Sequence, residues 1–493
     1  MEEIDKEPES VKRCHIVAVP FPGRGLINPL MNFCKHLARK LGDNVKITVV
    51  VTEEWLGILE SDPDPMPPQI QLRSVPNVIP SEFVRSSTLD FESFLQIVLV
   101  EMEAPFEHVL NTSEPATVII ADFSLIWAFS IGNRRSIPIV SFWTASSFMF
   151  SVLCHADLLT KNGHSLARTS DCCSEVIDYI PGVSPTPLAD MPLLPRGNDP
   201  KFNPELVSFT MLDDVQCLLI PTFYELEPQA TDTLKAIFPF PTYTIGPSIS
   251  NITTTITHHH YIHGKTAESI TTKYVNGKEL DYLKWLDSQP ICSVLYIAFG
   301  STVSISKEQM EEILVGLSKS GVPYLLVSRG THIDSGVHGD GGGNDDKTGN
   351  SSRRFVVPWC NQLKVLCHPS VGGFWTHCGW NSIMESIYAG VPMLTFPMFF
   401  DQIPNRKLIV DDLKVGMKVM NEFGAKALVK KDEVAKIVKK FMAVNEDEDV
   451  KNEAKEMRRR SSELKEMCRR ALAKGGSSDT NLDAFIKDIL HFQ

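Results

Sequence analysis

Among the 493 residues only 11 are cysteine, and no two of them form a CxxC pair. That spacing offers no metal-ligand register. An odd count in so long a chain also excludes a disulfide scaffold, so the cysteines read as reduced thiols of a cytosolic protein. No stretch approaches the roughly 20 apolar residues of a membrane span. The N-terminal MEEIDKEPESVKR lacks the apolar core of a signal peptide. Positive charge is also scarce: 48 Lys+Arg against 60 Asp+Glu leave a net charge of -12, which excludes a generic nucleic-acid binder. There is no short-period repeat and no GxGxxG; Gly23-Arg24-Gly25 alone is a weak phosphate-loop signal. What remains is ordinary globular composition, 43% apolar and 22% charged. At roughly 100–200 residues per domain this length suits two large α/β halves.

The chain reads as α/β. His15–Pro20 (HIVAVP) is an apolar strand entering a Gly/Pro-rich turn, PFPGRGLINPL, and a helix follows in which Leu30, Phe33, Leu37 and Leu41 recur at helical spacing. Val45–Val51 is a second buried strand. Strand, turn, helix and strand within so few residues make a βαβ unit and predict a parallel, doubly wound sheet. Val118–Ala121, Pro138–Phe142 and Cys217–Pro221 extend it. Residues 249–273 have linker composition, and the same grammar restarts at Ser293–Phe299, Glu308–Leu317 and Tyr324–Val327. The expected domains are 1–248 and 274–493. A charged helix is expected at Glu453–Arg470, and an amphipathic turn or two at Asp483–Phe492. His258, His259, His260 and His263 lie in the Thr-rich linker without a carboxylate or cysteine framework, so they do not read as a metal site.

The chemistry concentrates in WCNQLKVLCHPSVGGFWTHCGWNSIMESIYAGVPMLTFPMFFDQ, residues 359–402. Two strand candidates, Val371–Trp375 and Met393–Pro397, flank a turn of small and polar residues that opens a helix near Asn381. Such a turn is an anion site, because free N–H groups and the helix dipole face the ligand. His377, Asn381 and Ser382 add donors. Glu385 lies one turn into the helix, where it can accept from a diol such as ribose. Asp401 and Gln402, past the next strand, suit sugar hydroxyls, and Trp359 can stack on a base. The ligand implied is a nucleotide sugar.

This segment resembles the forty-four-residue signature box of the plant UDP-dependent glycosyltransferases of family 1, and the nearest branch is the one numbered eighty-seven. The resemblance extends to PFPGRGLINP, ADFSLIW, WLDSQP, the FGS turn and KGGSSDTN. It implies the GT-B fold: two Rossmann-like doubly wound domains facing a cleft, acceptor held by the first and donor by the second, with the C-terminal helix packing back on the first. It places Trp359 and Cys360 at the uracil, Gln362 and Glu385 at the ribose, and His377, Asn381, Ser382 and Ser301 at the diphosphate. Trp380, Asp401 and Gln402 fall at the sugar, with Gln402 resembling the glucose-preferring members. The partners implied are UDP-glucose, as donor substrate, and a small hydrophobic acceptor; no metal or other cofactor is implied.

One departure stands out. The family carries a Gly-His pair before an apolar residue, Asn and Pro, and that His is the general base. Here the segment reads Gly25-Leu26-Ile27-Asn28-Pro29, so Leu26 takes the place of the base. Asp122, in ADFSLIW, matches the acidic partner of that missing His. Gly25, Leu26 and Asp122 then mark the acceptor cleft, with loops around Glu82–Phe94, Phe142–Leu153 and Asp190–Leu194 shaping it. His15 and His155 are the candidate replacement bases. Two functions follow: transfer of glucose, with inversion, to a small hydrophobic acceptor, by a relocated base or with an acidic acceptor that needs none, or a glycosyltransferase-like protein that has lost transfer or been repurposed for a non-glycosyl reaction.

Overall fold

The β-branched runs form strands buried on both faces, which is why they show no apolar–polar alternation. In chain order the strands are β1 (Cys14–Val19), β2 (Val45–Thr52), β3 (Ile70–Val75), β4 (Val118–Asp122), β5 (Ile139–Phe142), β6 (Val176–Ile177), β7 (Thr186–Pro187), β8 (Cys217–Ile220) and β9 (Thr242–Thr244). They continue with β10 (Val294–Ala298), β11 (Tyr324–Val327), β12 (Arg354–Val357), β13 (Val371–Thr376), β14 (Met393–Thr395) and β15 (Gly416–Lys418). This computed structural model describes residues 13–61, 65–77, 91–166, 175–194, 204–249, 278–300, 305–328, 353–419, 428–443 and 447–492. Ser301, the His258–His263 cluster and nearly all of the 249–273 linker lie outside the described residues.

Contacts divide the described residues into two units. One lies within Met1–Ala156, Asp199–Ile249 and Lys474–Gln493, the other within Asp157–Asn198 and Ser250–Ala473. The first contains a seven-stranded sheet in the order β3-β2-β1-β4-β5-β8-β9, and the second a six-stranded sheet in the order β12-β11-β10-β13-β14-β15. Every pairing in both sheets is parallel. The short β6–β7 pair of the second unit is antiparallel.

The sequence reading found the sheet centres and missed the edges. The strands absent from it in the two large sheets are β3, β9, β12 and β15, which are the four edge strands. Each has partly exposed positions, and three of the four span four residues or fewer. A one-sided, short strand leaves no continuous apolar run to detect. The turn assigned to PFPGRGLINPL is also corrected. A helix already begins at Arg24 and runs to Leu41, with Pro29 inside it. Pro29 is the sixth residue, past the first N–H groups that have no intrahelical partner, so it removes one i→i−4 hydrogen bond near the helix start.

The C-terminal amphipathic turn is in fact a fifteen-residue helix, Ser477–His491, with Ser478, Leu482, Phe485 and Ile489 buried. It belongs to the first unit. Phe485 packs against Phe33 at 5.8 Å and Tyr243 at 6.0 Å between ring centroids. Ser478 donates to the Gly246 carbonyl at 2.6 Å, and the Asn481 amide donates to the Thr244 carbonyl at 2.9 Å. Among the described residues, no helix is long and apolar enough to cross a membrane. Phe485 is fully buried, so Phe485→Ala should cost about 3–5 kcal/mol of unfolding free energy. Urea unfolding followed by fluorescence measures this, and a loss below about 1 kcal/mol would mean the helix is not part of that core.

Candidate functional site

The donor candidates converge where β13 ends. The turn after it is held by an unusual backbone: Cys378 has a positive φ of 67°, left-handed for a non-glycine residue. Such a residue costs on the order of 1–3 kcal/mol and persists only where its surroundings fix it. Here the Thr376 hydroxyl accepts from the Cys378 N–H at 3.1 Å, and the Cys378 carbonyl accepts from the Asn405 amide at 2.9 Å. The neighbouring His377 ring is enclosed by two glycines. A Cβ added at Gly300 would come to 2.7 Å from its Nε2, and one at Gly379 to 2.5 Å. Burial lowers the His377 pKa to about 4, so the ring is neutral near pH 7 and offers one N–H rather than a cation. Its Nδ1 is buried without a hydrogen-bond partner.

From this turn the helix Trp380–Ala389 starts at Gly379, which supplies no side-chain cap. Gly379 leaves this start without the capping acceptor that Ser, Thr or Asp would provide; the Trp380 N–H turns instead to the Asp401 carboxyl, and a helix start of this kind can receive an anion. The Trp380 ring is buried, with its indole N–H unpartnered. Ser382 and Glu385 follow on the same helix. Gln362 donates to both, at 3.0 Å to the Ser382 hydroxyl and 2.7 Å to the Glu385 carboxyl. The Gln362 carbonyl oxygen in turn accepts from the Tyr296 hydroxyl at 3.2 Å, and Cys360 Sγ lies 3.4 Å from that hydroxyl. Burial raises the Glu385 pKa to about 7, opposed by the Gln362 bond. Trp359, at the edge of this group, is 47% exposed and presents a free ring surface.

Asp401 and Gln402 complete the cluster. Phe400, just before them, is a second left-handed non-glycine residue, with φ 52°. The Gln402 carbonyl oxygen accepts from the N–H groups of Met398 at 2.8 Å and Phe399 at 3.4 Å. Its Nε2 makes no hydrogen bond within the described residues. Asp401 accepts from Asn405 at 2.8 Å, and burial raises its pKa to about 7, with Asn405 opposing. All six residues of the helix Gln402–Lys407 are buried. The segment Asp190–Leu194, expected among the acceptor loops, makes its contacts in this unit: Asp190 pairs with Arg406, and Leu193 bridges Phe400.

In the first unit, Gly25 and Leu26 lie in the opening turn of the helix Arg24–Leu41, Gly25 exposed and Leu26 half-buried. Asp122 ends β4. Its Oδ1 accepts from the Ser124 N–H at 3.0 Å, while Oδ2 is buried with no partner. Burial raises this carboxyl to about 7, opposed by Ser124. The two candidate replacement bases are engaged elsewhere. His15 is buried with its ring on Thr48 Oγ1 at 2.9 Å and the Pro115 carbonyl at 3.1 Å. His155 Nδ1 lies 2.8 Å from the Ser151 carbonyl, one turn back on its own helix. In the second unit Asp287, His368 and Ser370 form a hydrogen-bonded series. Ser370 is 1% exposed, so the series ties a helix end to β13 and offers no nucleophile to a substrate. Among the described residues, no group of three or more His, Cys, Asp or Glu side chains could hold a metal ion.

A helix start without a side-chain cap, a carboxyl bonded to Gln362 and an exposed indole thus occur within residues 359–402, and that segment falls inside the match found by comparison with known proteins. Residues 272–432 match the family described as UDP-glucoronosyl and UDP-glucosyl transferase. UDP-glycosyltransferase 87A1 of Arabidopsis thaliana is 45% identical, over 96% of this chain and 99% of that protein. This chain belongs to the plant UDP-glycosyltransferases of family 1. The solved structure of Medicago truncatula UGT71G1 complexed with UDP-glucose is 26% identical, with a TM-score of 0.74 over 97% of this chain and 99% of that one. That of Phytolacca americana UGT2 complexed with UDP-2fluoro-glucose and pterostilbene is 25% identical, with a TM-score of 0.72 over the same shares. The fold is GT-B, and the enzyme is a UDP-glycosyltransferase, a hexosyltransferase acting on a small acceptor.

Sequence reasoning overlooked several residues of this glycosyltransferase's site. Tyr296 sits inside an apolar strand and reads as core. Gly300 reads as a turn. Asn405 and Arg406 lie just past the recognisable box. The signal for the last two was the polar run NRK between apolar IP and LIV, since polar residues in an otherwise buried stretch must be bonded to something specific.

Two expectations follow for the isolated enzyme. Glu385→Ala, His377→Ala or Gly300→Ala should each weaken UDP binding about tenfold or more, that is by about 1.4 kcal/mol; calorimetry on the folded variants reads this directly. The second concerns pH. Asp122 titrates at about 7 in the fold against 3.8 in its ordinary range, so between those values the native state holds a proton that the unfolded chain has lost. Stability therefore falls as pH rises through that window. Asp122→Asn should remove on the order of a few kcal/mol from the difference in unfolding free energy between pH 5 and pH 8. An unchanged difference in chemical denaturation would mean that Asp122 is ionised throughout.

Proposed function

We propose that the enzyme transfers glucose from UDP-glucose, with inversion, to a small hydrophobic acceptor bearing a carboxylic acid or an acidic phenol. The observation that carries this reading is Asp122: a buried carboxyl with Oδ2 unpartnered and a pKa raised to about 7, in a chain with Leu26 where the family has its base. Such a carboxyl orients no imidazole. An acceptor already ionised near neutral pH needs no base, because it has no proton to give up.

In this reading Trp359 stacks on the uracil, and Gln362 and Glu385 take the ribose. For Gln362 to do so, it gives up one of its three internal bonds. His377, Ser382, Asn381 and the N-terminus of the helix Trp380–Ala389 receive the diphosphate. Asp401 and the Gln402 Nε2 take the sugar hydroxyls, and Trp380 contributes its main chain at the helix start. The acceptor oxygen attacks the anomeric carbon from the face opposite the diphosphate. A carbon–oxygen bond forms, the bond to the β-phosphate breaks, and UDP leaves with the electron pair. The charge growing on the diphosphate meets fixed dipoles and the neutral His377 N–H, so stabilisation on the donor side supplies the rate. The relative solved with UDP-glucose supports the donor assignment.

The test compares acceptor classes. Wild-type enzyme with UDP-glucose should favour carboxylic acids and acidic phenols over aliphatic alcohols. Leu26→His should add on the order of 10²-fold for alcohols and almost nothing for carboxylic acids, and the gain should vanish in the Leu26→His, Asp122→Ala double variant. A uniform gain across both classes would assign Leu26 to pocket shape alone. Preference for a galactose or glucuronate donor in the wild type would overturn the glucose assignment, and Gln402→His should move the enzyme in that direction.

A further inference from the structure

The helix Gln402–Lys407 is buried along its whole length although four of its six residues are polar or charged. Each of those four is committed. The Gln402 carbonyl takes the N–H groups of Met398 and Phe399. Asn405 spans the Cys378 carbonyl and the Asp401 carboxyl. Lys407 pairs with Asp412 at 2.9 Å. Arg406, 5% exposed, pairs with Asp190, 9% exposed and 216 positions earlier in the chain. Two residues beyond Asp190's neighbour Met191, the Leu193 N–H reaches the Phe400 carbonyl at 3.5 Å. That carbonyl belongs to the left-handed residue just before Asp401. The segment from Leu188 to Leu194 thus grips both ends of the turn and helix that carry Asp401 and Gln402.

We propose that Asp190 is a positioning residue of the sugar subsite: its buried pair with Arg406, with the Leu193–Phe400 bridge, fixes the turn that aims Asp401 and Gln402. The family's signature box ends at Gln402, so this support comes from outside it, from a segment otherwise expected to serve the acceptor. The pair is placed to act on the sugar contacts directly and on the His377 turn only at one remove, through Asn405, whose own bonds do not involve Asp190. Its contacts are with the turn and helix around Asp401, whereas Gln362 is held by Tyr296 and in turn holds Glu385. The proposal rests on the reading of Asp401 and Gln402 as sugar contacts.

Calorimetry on the full chain, without acceptor, tests it with UDP, UDP-glucose and UDP-galactose as probes. Asp190→Asn and Arg406→Lys should leave the UDP Kd within about twofold of wild type and weaken UDP-glucose about tenfold, shrinking the preference for glucose over galactose. If a single variant does not fold, the Asp190→Leu, Arg406→Met double variant removes both charges and leaves neither orphaned; it should fold and show the same selective loss. Equal weakening of UDP and UDP-glucose, or wild-type UDP-glucose binding by a folded variant, would overturn the proposal. Gln402→Ala separates it from the reading beneath it. If that variant collapses the ratio of UDP-glucose to UDP affinity while the Asp190 variants do not, the positioning role alone fails. If Gln402→Ala leaves the ratio untouched, the sugar subsite lies elsewhere and both fall.

Discussion

The side-chain amide of Asn405 donates to the Cys378 carbonyl and to the Asp401 carboxyl at once, and much of the donor surface depends on that double bond. Cys378 and the residue before Asp401, Phe400, are both left-handed and neither is glycine. Each has to be held by its surroundings. One short buried helix holds both, through Asn405 on one side and Gln402 on the other. The turn that presents His377 and the helix N-terminus is thereby joined to the turn that presents Asp401. Separate elements of a parallel sheet become one rigid surface.

Charge in that surface is muted until a ligand arrives. Burial raises Glu385 and Asp401 to about 7 and lowers His377 to about 4, so near neutral pH the groups flanking the anion site are only partly ionised. A carboxyl that is half neutral repels an anion less than a full charge would. The same burial acts on Asp122 in the other unit, but there the carboxyl has no donor on Oδ2 and no imidazole to hold. All three carboxyls are thus pushed toward the neutral form by the same cause and differ in the donors that oppose it: Gln362 on Glu385, Asn405 on Asp401 and Ser124 on Asp122.

How a chain met only as residues reveals its parts differs from element to element. The central strands β1, β4, β5, β8, β10 and β13 were legible because burial on both faces demands unbroken apolar runs. The edge strands β3, β9, β12 and β15 were not, since one free side allows polar residues and short lengths. The start of the helix Arg24–Leu41 was hidden by glycine and proline, which signal a turn by local preference and yet fit a helix's first turns. The C-terminal helix was seen only in its apolar second half; its first half is fixed by bonds to Gly246 and Thr244, distant in sequence.

The sequence by itself determined the α/β class, the restart of the fold after the linker, and the cluster from Trp359 to Gln402, because strand burial, helix periodicity and a contiguous binding segment are all local patterns. It also determined the run Gly25-Leu26-Ile27-Asn28-Pro29, since residue identity is all that statement needs. Only the tertiary structure decided which groups hold that segment in shape. Tyr296 under Gln362, the glycines on either side of His377, Asn405 across two turns and Asp190 on Arg406 are brought together by chain crossings that no spacing rule reports. Nor could residue identity fix the protonation of Asp122, Glu385 and Asp401, because a carboxyl's pKa is set by the water and donors around it, and those exist only once the chain has folded.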